Sequence, residues 1–349
     1  MADARALTSE YERWLGGQIP LDAGELDRKH QEMAADEIRF LRATYYLWLA
    51  RVAEHAPRVL DMAAVPLVGD LHVQNFGTWR DHEQIRRWGV NDLDELGRGP
   101  WLLDLLRLAV SAVLAPDIAL DEAAVCAAIL DAWRATTPRA ALEVTERGAE
   151  HLERLIPSFD SPAKFYADLA KGPQVKIPPA VAAAAAGVAE AGWTPVWHQH
   201  VAGTGSLGHA RAVGVGPAAD GSMHAREAKQ LGPGAATWAA GRHPRMPIAE
   251  AGLYDSVMRA VRGAAGATRV GDWQVRDLAP DVVRIELSGL HAKNAARLLR
   301  SMARAAADVH GSDPSAFAAA RADPLTAAEF AAMVHAMVDV TKADWQSYR

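Results

Sequence analysis

One cysteine, Cys126, is all the thiol the 349-residue chain has, so no internal disulfide can form. It sits at helical spacing in DEAAVCAAILDAW, the setting of a small buried core side chain rather than of a nucleophile. Long apolar runs are missing as well: none approaches the roughly 18–20 residues that span a bilayer. The opening MADARALTSEYERW mixes charges and lacks a basic start followed by an apolar stretch, so no secretory signal is expected. Nor is there an excess of basic charge. A net charge of −6 and a pI near 6.1 argue against a nucleic-acid surface, which needs clustered Lys and Arg. We therefore expect a cytoplasmic protein with neither nucleic-acid nor membrane partners.

What is present fits a folded globular chain. Half of the residues are hydrophobic and 23% are charged, and the length allows one large domain or two ordinary ones. From 25 to 55, Met33, Ile38, Leu41, Tyr45 and Leu49 recur at the spacing of an amphipathic helix. A short strand, Val65 to Val68, then runs into a glycine and a polar loop. RRWGVNDLDELG repeats that pattern and ends at Gly99-Pro100, after which WLLDLLRLAVSAVLA reads as a buried helix. DEAAVCAAILDAWRA reads as another helix, opened by Asp121 as a cap. The texture loosens from 156 to 195, and a boundary is expected near 172–195. Beyond it, VWHQHVAG, HARAVGVG, SMHAREAKQL, WQVRDLAP and VVRIEL are strand-like, interrupted by one helix, IAEAGLYDSVMRAVRG. Residues 291–349 return to helix. The expected class is α+β, with a mainly helical region over 1–185, a β-rich region over 196–290 and C-terminal helices packing back on the first region.

The strongest chemical pattern is Gly69-Asp70-Leu71-His72-Val73-Gln74-Asn75. An aspartate with an asparagine five residues later, on a loop after a strand, suits a phosphoryl-transfer loop. There the aspartate takes the proton of the attacking hydroxyl and the asparagine oxygen holds Mg²⁺. Asp92 and Asp94 in NDLDE supply strand-end carboxylates for the same ion, which favours one or two carboxylates beside phosphate oxygens. The pattern leaves open which of the two is the main ligand. The bland alternative makes Asp70 a turn residue or helix cap. Gly203-Thr204-Gly205-Ser206-Leu207-Gly208 has the G-x-G-x-x-G spacing that brings backbone amides to phosphates. Strands on both sides favour a hairpin lid over a dinucleotide turn, the alternative being a flexible β-turn. On SMHAREAKQL, Lys229 is the first choice for a phosphate-side cation and Arg226 the reserve, with Glu250 as a candidate partner of the lysine. A plain surface lysine is the competing reading. His72 is expected to order its loop, and His198, His200, His209 and His224 read as hydrogen-bonded surface side chains because no compact ligand spacing joins them.

GDLHVQN followed by NDLDELGRGPWLLDLLRLA resembles the aminoglycoside-phosphotransferase and protein-kinase-like superfamily. That resemblance implies Asp70 as catalytic base, Asn75 as a metal ligand, Asp92 as the main metal ligand and Asp104 as the helix aspartate bracing the loop, with ATP and Mg²⁺ as cofactors. The chain is also similar to the bacterial family called domain of unknown function 2252. The matching segments are Lys29 to Met33, Phe40-Leu41-Arg42, Gly69 to Gly77, Asn91 to Glu95, Gly99 to Ser111 and Gly203 to Gly208. Two positions depart from that family's pattern: Leu93 replaces a phenylalanine, and Arg226-Glu227-Ala228 stands where K-E-A is usual. Either Arg226 serves the phosphates or Lys229 takes the role. In ordinary kinases the glycine loop and lysine precede the catalytic loop, whereas here they follow it. One shared site therefore implies a circularly permuted, two-lobed kinase-like fold.

The expected activity is phosphoryl transfer from ATP to a hydroxyl on a small molecule or protein. Three other readings compete: a nucleotide-binding pseudokinase, a two-metal phosphoesterase suggested by Asp70-x-His72, and transfer of AMP within the same fold.

Overall fold

The computed structural model describes residues 3–156, 161–201, 207–263, 267–280, 282–283, 287 and 290–349, and its class is α+β. Four helices open the chain: α1 (Ala4–Gly16), α2 (Ala23–Ala35), α3 (Glu37–Ala43) and α4 (Tyr45–His55). The last three divide the stretch expected as one amphipathic helix. Asp36 is extended at φ −158°, and its carboxylate accepts the Arg39 amide at 2.8 Å, which starts α3 afresh. Thr44 breaks the run again at φ −124°, its hydroxyl donating to the Phe40 carbonyl at 2.7 Å. Asp and Thr side chains offer the backbone local partners that compete with helix, and apolar periodicity carries no record of that competition.

Four short strands follow: β1 (Ala64–Leu67), β2 (Phe76–Arg80), β3 (Arg86–Val90) and β4 (Gly97–Pro100). Helix α5 (Leu102–Leu114) is buried at twelve of its 13 residues. Helix α6 (Glu122–Ala135) starts where expected, with Asp121 accepting the Ala124 amide at 2.7 Å. After β5 (Leu142–Glu143) come α7 (Glu150–Glu153), α8 (Pro162–Leu169) and α9 (Pro179–Gly187). Strand β1 pairs antiparallel with β4, and β2, β3 and β5 form a second small sheet.

The glycine-separated segments give β6 (Val196–Gln199), β7 (Arg211–Pro217) and β8 (Met223–Gln230). Helix α10 (Ala235–Ala240) and α11 (Leu253–Val257) come next, the latter running into a π-helical turn over Met258–Arg262. Strands β9 (Thr268–Val270) and β10 (Trp273–Leu278) complete a five-stranded antiparallel sheet in the order β6-β7-β8-β10-β9. Half of the VVRIEL stretch, residues 284–286, lies outside the described residues. Helices α12 (Ala292–His310), α13 (Pro314–Ala322) and α14 (Ala327–Tyr348) end the chain.

The C-terminal helices pack on the N-terminal ones: α14 lies against α4, α5 and α6, and α12 against α6. Arg51 on α4 makes a buried two-pronged bond to Asp344 on α14, at 2.8 Å from both Nε and Nη2. One large apolar core joins α1–α6 to these helices, and it also takes in Trp238, Leu253 and Val257. Residues 235–262, expected within the β-rich region, thus belong to the helical core. Conversely α8 and α9, expected with the helical region, cover the five-stranded sheet, where Val181, Ala185, Ala228 and Val275 form a small separate core. Among the described residues no helix is long and apolar enough to cross a membrane.

Candidate functional site

The loop after β1 is held by a stripe of polar side chains on α5. Asp104, Arg107 and Ser111 follow at i, i+3 and i+7 and so share one helical face. Asp104 accepts the Val68 and Gly69 amides at 2.8 and 2.9 Å. Arg107 donates from Nε to Asp70 Oδ1 at 2.7 Å and from Nη2 to the Leu41 carbonyl at 2.8 Å. Ser111 accepts the Val73 amide at 3.0 Å. Behind Asp104 lies a buried relay: Trp133 Nε1 donates to His310 Nδ1 at 3.0 Å, which leaves His310 Nε2 to donate to Asp104 Oδ2 at 2.9 Å. Gly69 is required where it stands. Its φ is +93°, and a Cβ there would lie 2.4 Å from the Glu95 carbonyl oxygen.

Asn75 joins the two acidic loops. Its Oδ1 accepts the Asp92 amide at 2.8 Å, while its Nδ2 donates to the carbonyls of Asp70 and Asp92 at 3.2 and 3.0 Å. His72 Nδ1 accepts the Gln74 amide at 3.2 Å, so it orders the loop. Asp94 donates its amide to Asp92 Oδ1 at 3.1 Å. Burial raises the Asp70 carboxyl above its ordinary range, with Arg107 opposing. Glu95, whose Oε2 accepts the Ala235 amide at 2.8 Å, is pushed up to about 8 by burial and then by the Asp70 charge.

The five-stranded sheet brings its cations to the same cleft. Period-two alternation puts Glu227 and Lys229 of β8 on one face and Arg226 and Ala228 on the other. The Lys229 ammonium is paired with Asp94 and lies 4.0 Å from Asp92 Oδ2. Glu227 is clamped between Arg211 of β7 and Arg276 of β10, each at 2.6 Å, and those two arginines hold its carboxyl down to about 2 against the opposing pull of burial. Arg211 and Arg276 line the cleft with Asp70, Asn75, Asp92 and Asp94. Arg226 turns away from it, reaching Asp277, Glu190 and the Val188 carbonyl beside α9.

Several expected residues fall elsewhere. Glu250 pairs with Arg98, so the carboxylate facing Lys229 is Asp94 rather than Glu250. Gly203, Gly205 and Ser206 lie outside the described residues. Gly208, at φ +96°, is fixed to the start of α2: its amide donates to Glu25 at 2.9 Å and its carbonyl accepts the Asp22 amide at 3.0 Å. His198 is buried rather than on the surface, bonded to the Gly172 carbonyl at 2.8 Å, and His209 lines the cleft. Among the described residues no three His, Cys, Asp or Glu side chains gather as a metal site. Cys126 is buried, its thiol pushed up to about 12 by desolvation.

Sequence reasoning passed over Arg107, Arg276 and Lys29, which line or support the cleft. Arg107 had a visible signal, a charge inside an otherwise apolar helix. Lys29 opens one of the segments that match the family pattern, without a role attached to it, and Arg276 looks like an ordinary surface cation in its own segment.

Fold and site together define an α+β protein with a half-buried acidic loop pair facing cations from a β-sheet. Residues 22–150 match the family of uncharacterized proteins conserved in bacteria called domain of unknown function 2252. No curated protein and no solved structure matches the chain.

Proposed function

We propose that the protein is an ATP- and magnesium-dependent phosphotransferase with a circularly permuted, two-lobed kinase-like build, acting on a hydroxyl-bearing acceptor. The observation that carries this reading is the meeting of Lys229 with Asp94 and Asp92 across 135 residues of sequence, beside the Asp70 loop. A base, two strand-end carboxylates and a strand lysine in one cleft are the parts that phosphoryl transfer uses.

The donor set suits magnesium. Asp94 Oδ1 is buried with no hydrogen-bond partner among the described residues, and Asp92 and Asp94 offer the one or two carboxylates that this ion takes alongside phosphate oxygens. Asp92 and Asp94 would hold it, with Asn75 adding its second amide lone pair, and the ion would neutralise charge on the phosphates. Asp70 takes the proton of the acceptor hydroxyl. Arg107 fixes the Asp70 carboxylate, and Asp104 fixes the backbone that carries it. Lys229 and Arg276 supply positive charge for the triphosphate from the sheet side of the cleft, Lys229 exchanging its carboxylate partner for phosphate oxygens. Leu93, where the family has phenylalanine, is buried and keeps the apolar anchor of the NDLDE loop.

A nucleotide-binding protein without turnover is the second reading, favoured by the Arg107 clamp, which occupies the Asp70 carboxylate and opposes the rise that burial gives it. Turnover separates the two. Mg·ATP at about a hundredfold over Kd should add about 2.7 kcal/mol of stability, and chelator should abolish most of it. Asp70→Asn should keep that thermal shift and lose turnover by about 10²–10⁴-fold. At least one of Asp92→Asn and Asp94→Asn should lose both. No thermal shift with any nucleotide would remove both readings, and wild-type turnover in Asp70→Asn would remove the base assignment.

A further inference from the structure

Lys29 is the cation in the cleft that the phosphotransferase reading leaves without work. It lies on α2, 4% exposed, and its side chain lines the cleft that holds Asp70. Among the described residues the other cleft cations are engaged: Arg211 and Arg276 with Glu227, Lys229 with Asp94, and Arg42 with partners of its own. The Lys29 ammonium makes no hydrogen bond and no ion pair with any described residue. It lies over the ring of Tyr46, 5.7 Å from the nitrogen to the centroid. Tyr11 stacks on that ring at 3.9 Å, so the floor beneath the ammonium is aromatic.

A buried ammonium without a counter-ion is costly, and proteins keep such a group where something else completes it. The carboxylates that act on Lys29 at a distance are Glu12, Asp70 and Glu95. Each is committed: Glu12 to His30 at 2.9 Å, Asp70 to Arg107, and Glu95 to the Ala235 amide. The aromatic floor accounts for part of the stabilisation, since a cation over a ring gains up to about 2 kcal/mol when desolvated. The ammonium's three donors remain unused.

We propose that Lys29 binds an anionic group, a carboxylate or a phosphate, on the molecule whose hydroxyl Asp70 deprotonates. This rests on the phosphotransferase reading of the cleft, and it narrows the acceptor to hydroxylated molecules that carry negative charge. The Tyr11–Tyr46 pair gives such a molecule an apolar wall, and Lys29 sets the end that carries the anion. The sheet-side cations Lys229 and Arg276 are left to the nucleotide.

The test is calorimetric titration and thermal melting with inorganic phosphate and with acetate, in the presence of saturating Mg²⁺ and a non-hydrolysable ATP analogue. Wild type should show a saturable response to at least one anion; a preference for phosphate marks a phosphorylated acceptor, a preference for acetate a carboxylated one. Lys29→Met should weaken that response by about tenfold or more, and Lys29→Arg should restore part of it. Without anion, Lys29→Met should melt at or above the wild-type temperature, which also shows that it folds. Equal anion binding by Lys29→Met and wild type, or no saturable response in wild type, overturns the proposal. Competition between the anion and the nucleotide analogue also overturns it, because Lys29 would then serve the triphosphate. Nucleotide binding is read separately: if wild type fails to bind the analogue but binds phosphate or acetate through Lys29, the anion site stands and the phosphotransferase reading falls.

Discussion

Lys229 and Arg226 are three residues apart on one strand, and strand alternation sends them to opposite sides of the sheet. Lys229 meets the acidic loops, while Arg226, 2% exposed, ties β8 to Asp277 and to Glu190 beyond α9. Lys229→Ala should therefore weaken Mg·ATP affinity by about tenfold or more, measured by calorimetric titration. Arg226→Ala should leave that affinity unchanged and lower stability by about 1–3 kcal/mol in thermal melts, since it strips a buried cation from two half-exposed carboxylates. The reverse ranking would place the phosphates on the α9 side of the sheet. Residue types and spacing made the Glu227-Ala228-Lys229 segment readable as a candidate, but the choice between its two cations needed the facing direction of β8. That direction is set by what packs beneath Ala228 and Val275, a fact no local pattern holds. The Arg107–Asp70 contact was hidden for a related reason. Its partners are 37 residues apart, and the sequence around Arg107 says only that the helix is apolar.

At the scale of elements, α5 acts as a ruler for the loop after β1. Its stripe of Asp104, Arg107 and Ser111 meets Val68 and Gly69, then Asp70, then Val73 in register. The buried run around it made α5 legible, as did the Asp121 cap for α6, because apolar length and capping are local signals. The division of residues 23–55 into three helices was not legible, since Asp36 and Thr44 sit well on a helix surface until tertiary packing selects their capping geometry. Nor was the support behind Asp104, which comes from Trp133 and from His310 at the far end of α12. His310→Ala leaves a buried indole N–H and a buried carboxylate oxygen each short of a partner. Stability should fall by about 2–5 kcal/mol, a loss of roughly 3–7 °C in Tm by differential scanning calorimetry. His335→Ala, which removes an exposed ring from partly exposed carboxylates, should change stability by less than about 0.5 kcal/mol. Similar losses in both variants would show that the relay does not brace the loop.

For the whole molecule, the chain's two ends share one core, while the five-stranded sheet with α8 and α9 has smaller cores of its own. The acidic loops belong to the first body and Lys229 to the second. Among the described residues the polar ties between them include Arg269 on β9, which donates to the Leu93 carbonyl at 3.0 Å, and Gly208 ahead of β7, whose amide donates to Glu25 at 2.9 Å. A seam with such ties opens at lower cost than either core, so a ligand gripping both sides should hold it shut. Hydrogen exchange reads this directly. With Mg·ATP at about a hundredfold over Kd, amides whose exchange requires the seam to open should slow by up to about a hundredfold. The slowing should appear on both sides: in residues 68–75 and 91–95 of the loops, and in residues 211–213 and 227–230 of the sheet. Adding chelator should return both sets to their original rates together, because the carboxylates grip the phosphates only through the metal. Slowing confined to the loops, with the sheet unaffected, would mean that Lys229 reaches Asp94 as a structural ion pair and that the sheet is no part of a nucleotide site.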